Sequence, residues 1–228
     1  MPAKTILYAV ASLVVAALFG YSAIRGHTPR HASEWLAPIG PAVAAAAGGL
    51  WLFDRFAWRW PGIRHLVGRP ILRGTWYGEL ASEWVNPQTG QPIPADPNVF
   101  LVVRQRYWQV SVRVLTKESS SASIVASFRA DADGVQQLVY VYSNAPRPEV
   151  RHRSERHYGA AVLGAPRDPH DGLEGYYFTD RGTRGEMRFR ECFKTLVETH
   201  TAGMALVEQP ERLQRVDPLL PRGEKIVD

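Results

Sequence analysis

Two periods of hydrophobicity divide this chain. Residues Thr5 to Ile24 form an uncharged apolar run, and Trp35 to Phe53 form a second. At 1.5 Å per residue, a run of about twenty residues matches the roughly 30 Å hydrocarbon core of a bilayer. Both are read as transmembrane helices, at about 5–24 and 35–53, within a membrane segment covering residues 1–60. A signal peptide would have a shorter apolar region and a small-residue cleavage site. Here Arg25, His27, Arg30 and His31 follow, and then the second run. In the second run, Trp35 and Trp51 sit near the ends, Pro38 and Pro41 fall in the first turns, and Ala44 to Gly49 is nearly all small residues. Small faces let helices approach closely, within one molecule or between copies.

From Gly74 the period shortens to two. Val99, Leu101 and Val103 alternate with Phe100, Val102 and Arg104, and Val110, Val112 and Val114 with Ser111, Arg113 and Leu115. Leu138, Tyr140 and Tyr142 alternate with Val139 and Val141, and Met187 and Phe189 with Glu186, Arg188 and Arg190. This pattern predicts strands at 74–84, 97–108, 109–117, 121–130, 135–143, 156–164, 173–180 and 184–191. Asp131-Ala-Asp-Gly134 and Arg181-Gly-Thr-Arg-Gly185 read as tight turns, and Asn86 to Pro97 as a longer loop. Short consecutive antiparallel strands favour a small barrel or a sandwich, and a barrel removes exposed edges. The predicted class is therefore two transmembrane helices plus an all-β domain, a small eight-stranded antiparallel β-barrel over 74–208. Residues 61–73 form an Arg-rich juxtamembrane linker, and 209–228 a flexible polar tail.

Charge sets an expected orientation. Arg55, Arg59, Arg64, Arg69 and Arg73 follow the second helix, against Arg25 and Arg30 in the connection and Lys4 at the start. The excess of Arg beyond the second helix predicts a multi-pass membrane protein with the barrel and both termini in the cytoplasm. A net charge of +5 is too small and too scattered for a DNA or RNA duplex partner. Cys192 is the sole cysteine, so no intramolecular disulfide forms, and a small core residue is its plain reading. Phosphate-loop, dinucleotide-fold, HExxH and paired CxxC motifs are absent, and the serines lack a nucleophile-elbow context. His152 and His157 have no third ligand beside them in the sequence. The expectation is a binding module with no cofactor and no metal, not an enzyme.

Several motifs then follow in order. Leu72-Arg-Gly74-Thr-Trp76-Tyr-Gly78 comes directly after the two apolar runs, followed by Ser121-Ala-Ser123 and Tyr140-Val-Tyr142-Ser-Asn144-Ala-Pro146. His157-Tyr-Gly159 and Leu173-Glu-Gly175-Tyr-Tyr177-Phe-Thr179-Asp-Arg181-Gly-Thr183-Arg-Gly185 complete the set. In this order the chain resembles the two-transmembrane, β-strand-rich membrane effectors of the bacterial cyclic-oligonucleotide antiphage systems (CBASS). The resemblance covers residues 5 to 191. It implies a β-barrel that binds a cyclic dinucleotide made by a partner nucleotidyltransferase (a CD-NTase), ligand-driven homo-oligomerisation, disruption of inner-membrane lipid, and cell death or growth arrest.

A cyclic dinucleotide offers two π faces and two phosphates. Aromatics stack on bases, and Arg, amide or hydroxyl groups hold phosphates. By residue type and strand position, the ligand-binding candidates are Trp76, Tyr77, Tyr140, Tyr142, Asn144, Tyr177, Thr179, Arg181 and Thr183. Trp76 and Tyr77 point to opposite sides of one strand, so only one can face a lumen, and Trp76 between Gly74 and Gly78 also reads as a core plug. The Arg-rich stretch from Arg147 to Arg156 reads as a solvated loop. Two other functions fit the same pattern: a membrane-tethered, lipocalin-like barrel for a lipid or other apolar ligand, and a structural adaptor that recruits a protein. A wholly apolar lumen would support the first, and a lumen end with Arg, Asn and Thr around aromatics the nucleotide reading.

Overall fold

The computed structural model describes residues 39–208, apart from 86–89, 92–93, 153 and 167–171, together with scattered positions between 12 and 26. The chain divides into two compact units. One runs to Gly68 and includes Arg106–Trp108, and the other holds Arg69–Gln105 and the chain from Gln109 onward.

In the first unit, helix α1 spans Ile39–Arg55 and helix α2 spans Pro61–Val67, with a single 3₁₀ turn at Ala57–Arg59 between them. Pro61 opens α2, where a missing N–H costs nothing, and Gly68 closes it in the left-handed conformation at φ 62°. The expected juxtamembrane linker is thus partly helical. Asp54, the one acid of that stretch, holds Arg106–Trp108: its carbonyl accepts from Tyr107 N at 3.1 Å and its carboxylate from Trp108 N at 2.9 Å. Tyr107 packs edge-on against Phe53, with ring centroids 4.8 Å apart. The 17 residues of α1 span about 25 Å. Among the described residues, no helix is long and apolar enough to cross a membrane. The expected span at 5–24 lies almost wholly outside the described residues, as do the start of the second at 35–38 and the tail 209–228.

The second unit is the predicted barrel. Its strands are β1 Gly74–Ser82, β2 Asp96–Gln105, β3 Val110–Leu115, β4 Ser119–Ala130, β5 Gln136–Pro146, β6 His157–Gly164, β7 Leu173–Thr179 and β8 Arg184–Phe193. Each pairs antiparallel with its neighbour in sequence, and β8 closes on β1. The turn before β5 is built as its sequence demands: the Asp131 carboxylate accepts from Asp133 N and Val135 N, and Gly134 takes φ 80°.

Alternation fills the barrel in layers. Phe128, Leu138, Leu163, Gly175, Met187 and Leu80 follow one another through cross-strand registers around the wall. Toward the first residues of β1, Trp76, Leu101, Leu173 and Phe189 fill the lumen. Toward the last residues of β1 come first tyrosines and then polar side chains. β4 keeps an inward face along its whole length only by a bulge between Ser123 and Val125, which moves the inward set from odd to even positions.

The sequence reading places no helix after β8, but helix α3 spans His200–Val207. Thr199 caps it, its hydroxyl accepting from Ala202 N at 3.2 Å. The Thr75 hydroxyl donates to Thr195 O at 2.7 Å and accepts from Val197 N at 3.2 Å, which fixes the approach to the helix. This segment covers the outward side of β2, so Phe100, Val102, Leu115 and Val197 form a second apolar cluster. That is why β2 is apolar on both faces where the other strands alternate.

Candidate functional site

The lumen is plugged in one half and hollow in the other. The hollow half is a cavity of about 890 Å³, within the range of small-molecule sites. Its floor is apolar, set by Leu80, Val114 and Met187. Above the floor lie three tyrosines. Tyr140, Ala161, Tyr177, Gly185 and Ser82 form one cross-strand row, and Ser123, Tyr142, Gly159 and Thr179 form the next. The Tyr140 and Tyr142 rings lie 5.8 Å apart and inclined at 45°.

Two glycines make the space for these rings. A Cβ at Gly159 would stand 2.5 Å from both Cζ and Oη of Tyr142, and one at Gly185 would stand 2.8 Å from Cε1 of Tyr177. Tyr142 and Tyr177 therefore lie over strand backbone on the cavity wall, and both line the cavity with Tyr140. In Gly159→Ala we expect the Tyr142 ring to be driven into the cavity. The variant should lose about 1–3 kcal/mol of stability by overpacking. An unchanged Tm would refute the close fit.

Burial holds these phenols protonated. Desolvation, with the neighbouring Tyr177 and Asp180 and against the opposing effect of Arg181, pushes Tyr142 up to about 12. Desolvation likewise raises Tyr177, opposed by its hydrogen bond with Ser82, and raises the fully enclosed Tyr140. At neutral pH the cavity thus presents neutral donors and no phenolate to repel an anion. The sign for stability follows. Below pH 10 folded and unfolded chains both keep these protons. Between 10 and about 12 the unfolded chain loses them first, so stability falls as pH rises. Thermal unfolding should show no tyrosine-linked loss between pH 7 and 9 and a progressive drop above 10. Phenol absorbance that titrates near 10 in the folded protein for all tyrosines would contradict this.

The rim is polar. Ser121, Asn144 and His157 stand in register across β4, β5 and β6, inward and largely buried. Thr179 and Thr183 share a hydrogen bond between their hydroxyls at 2.6 Å across the β7–β8 turn. Arg181, at the tip of that turn, reaches Ser154 Oγ at 3.4 Å and is the one Arg or Lys lining the cavity among the described residues. Gly182, at φ 74°, gives this turn its left-handed residue. Thr116, Glu118 and Ser119 line the rim from the β3–β4 turn, and Trp84 from the segment after β1.

Of the nine sequence candidates, Tyr140, Tyr142, Asn144, Tyr177, Thr179, Arg181 and Thr183 come together on this cavity. Two do not. Trp76 faces the lumen, but in its plugged half, where it is fully buried and donates from Nε1 to Leu72 O at 2.9 Å. Tyr77 faces outward, stacks near Phe100 and hydrogen-bonds Asn98 Oδ1 at 2.9 Å. Neither lines the cavity. Sequence reasoning missed Ser121, His157 and Trp84 as lining residues. The first two sit in the quoted motifs, but only the strand register sets them beside Asn144. The cavity carries Asn144, Thr179, Arg181 and Thr183 around the tyrosines, so it is not the wholly apolar lumen that would support the lipocalin-like alternative.

The model of the family described as Cap15, cyclic dinucleotide receptor domain, matches residues 67–191, more than half of the chain. The chain belongs to this family. The matched segment carries all the cavity-lining residues and nearly the whole barrel. A curated relative, CD-NTase-associated protein 15 of Yersinia aleksiciae, is 29% identical over 144 residues, which are 60% of this chain and 64% of the relative. The chain thus spans somewhat less than two thirds of that relative's length. The description of this family names cyclic dinucleotides as the ligand class of its receptor domain. Among the described residues the cavity has aromatic walls, neutral donors, one guanidinium, that of Arg181, and one carboxylate, that of Glu118. Among the described residues, no cluster of His, Cys, Asp or Glu could hold a metal ion.

Proposed function

We propose that this chain is a CBASS effector in which the barrel cavity receives a cyclic dinucleotide and passes that event to the N-terminal segments in the bacterial inner membrane. The observation that carries the reading is the layered cavity: tyrosines over an apolar floor, ringed by Asn144, His157, Thr179, Thr183 and Arg181. Bases enter against Tyr140, Tyr142 and Tyr177, where every nucleobase presents a π face. The phosphates stay at the rim, where Arg181 supplies a charge-assisted contact and the hydroxyls and amide supply neutral ones. The cavity performs no chemistry on its ligand. It acts by preferring one state of the protein.

The remaining steps follow the relative's printed association with a CD-NTase and the apolar N-terminal runs. A partner CD-NTase makes the messenger. Bound ligand favours an assembled form over the single chain, and it can do so only by binding the assembled form more tightly. The two apolar runs, 5–24 and 35–53, span the inner membrane with the barrel on the cytoplasmic side. Assembly then disrupts the bilayer and kills or arrests the infected cell.

The test is reconstitution of the full chain in anionic-lipid vesicles holding a fluorescent dye. Addition of the cognate cyclic dinucleotide should release dye, and the linear dinucleotide should not. Release that is independent of ligand would sink the coupling between cavity and membrane.

A further inference from the structure

Most polar groups on the cavity can serve either side of a hydrogen bond. The Ser, Thr and Tyr hydroxyls, the Asn144 amide and the His157 ring each donate or accept as a ligand demands. Among the described residues, two lining side chains carry a charge of fixed sign. Arg181 only donates, and Glu118, the one lining carboxylate, only accepts. Arg181 suits a phosphate. Glu118 opposes one, because like charges set against each other weaken binding. Its place on the cavity calls for a ligand group that offers donors.

The topology separates the two charges. The strands close the barrel in sequence order, so the β3–β4 and β7–β8 turns stand at the same end and on opposite sides of the mouth. Glu118 at one turn and Arg181 at the other give the mouth an anionic and a cationic side. The backbone of Glu118 is tied down. Thr116 N donates to Ser119 O at 3.0 Å, and Thr116 Oγ1 accepts from Ser119 N at 2.9 Å and from Glu118 N at 3.3 Å. Glu118 O accepts from Arg147 N at 2.8 Å, which joins the turn to the end of β5. The residue itself is exposed, so its carboxylate is set at the rim on a fixed turn and open to a ligand.

We propose that Glu118 selects guanine, its two carboxylate oxygens accepting from N1–H and N2–H of one base of the bound cyclic dinucleotide. This selection rests on the cavity being the cyclic-dinucleotide site, and it names the base. Edge chemistry singles out guanine. Its Watson–Crick edge carries two adjacent donors, which match a carboxylate in the bidentate manner. Adenine sets one donor beside an acceptor, uracil sets one between two acceptors, and cytosine has one donor followed by acceptors. On those bases the second carboxylate oxygen meets a lone pair. A phosphate on the Arg181 side keeps the ligand's own charge away from Glu118 and leaves the opposite side of the mouth to a base edge.

The test is calorimetry on the full chain in detergent. The panel is 3′,3′-linked cyclic dinucleotides carrying guanine, hypoxanthine, adenine or uracil, each paired with itself and with adenine. Hypoxanthine is guanine without the 2-amino group. Wild type should bind guanine members about tenfold or more tightly than their hypoxanthine counterparts, which lose one hydrogen bond to a charged group. Glu118→Gln keeps the size of the side chain and turns one acceptor into a donor. It should weaken guanine members by about tenfold or more, abolish the preference over hypoxanthine, and leave the adenine and uracil members and the Tm unchanged. Binding without a preference for guanine, or a preference that Glu118→Gln retains, would overturn the selection and leave the receptor reading standing. An equal change for every member would overturn it too, since Glu118 would then act through charge alone. No binding by any member would remove the receptor reading and the selection with it.

Discussion

Arg181→Ala weakens cyclic dinucleotide binding by about 10- to 100-fold and leaves the fold intact. Among the described residues, Arg181 brings the one guanidinium that lines the cavity, at the tip of the β7–β8 turn, where it reaches Ser154 Oγ at 3.4 Å. A hydrogen bond to a charged group contributes about 1.5–3 kcal/mol, and each ~1.4 kcal/mol is tenfold in affinity. The exposed turn position carries no packing, so stability should change by no more than about 0.5 kcal/mol. Arg181→Lys keeps the charge but loses the planar fork, and should recover only part of the affinity. Calorimetry on both variants decides the matter. Wild-type affinity in Arg181→Ala would mean that the phosphates are held elsewhere.

Trp76→Ala has the opposite signature. Trp76 is fully buried in the plugged half of the lumen, its cross-strand neighbours are Leu101 and Cys192, and its Nε1 donates to Leu72 O. Truncation of a buried Trp costs about 3–5 kcal/mol, a large share of the 5–15 kcal/mol that holds a domain together. The expected fall in Tm is about 10–20 °C. Protein that remains folded at low temperature should still bind ligand at close to wild-type affinity, because Trp76 does not line the cavity. A Tm within a few degrees of wild type would show that the plug is not the main core. Intact stability with lost binding would return Trp76 to the ligand site.

These two residues also mark how far the sequence could be read. Alternation located every strand to within a few residues, because a half-buried strand must place Leu138, Tyr140 and Tyr142 on one side and Val139 and Val141 on the other. Alternation says which residues share a face. It does not say at what depth in the barrel they lie. Trp76 and Tyr140 both point inward, and only the staggered register sets one in the plug and the other on the cavity wall. Ser121 and His157 were invisible as lining residues for the same reason: their neighbour is Asn144, more than ten residues from each in sequence.

Other features depend on contacts that no local pattern records. The bulge at Ser123–Val125 exchanges the faces of β4 midway, so a single two-residue period fits only half of that strand. α3 is eight residues long and rests on the outer side of β2, though Thr199 and the apolar run of β2 were its readable traces. The pairing of Gly159 with Tyr142 and of Gly185 with Tyr177 is equally non-local. Each glycine looks like turn or motif punctuation until the ring above it is placed.

The most direct test of the account is a calorimetric titration of the full chain in detergent with a panel of cyclic dinucleotides that differ in base and linkage, repeated on Tyr142→Ala. The account predicts micromolar or tighter binding of one member, lost or weakened at least tenfold in the variant. Binding that Tyr142→Ala leaves unchanged, or no binding by any member of the panel, would contradict the assignment of this cavity as the receptor site.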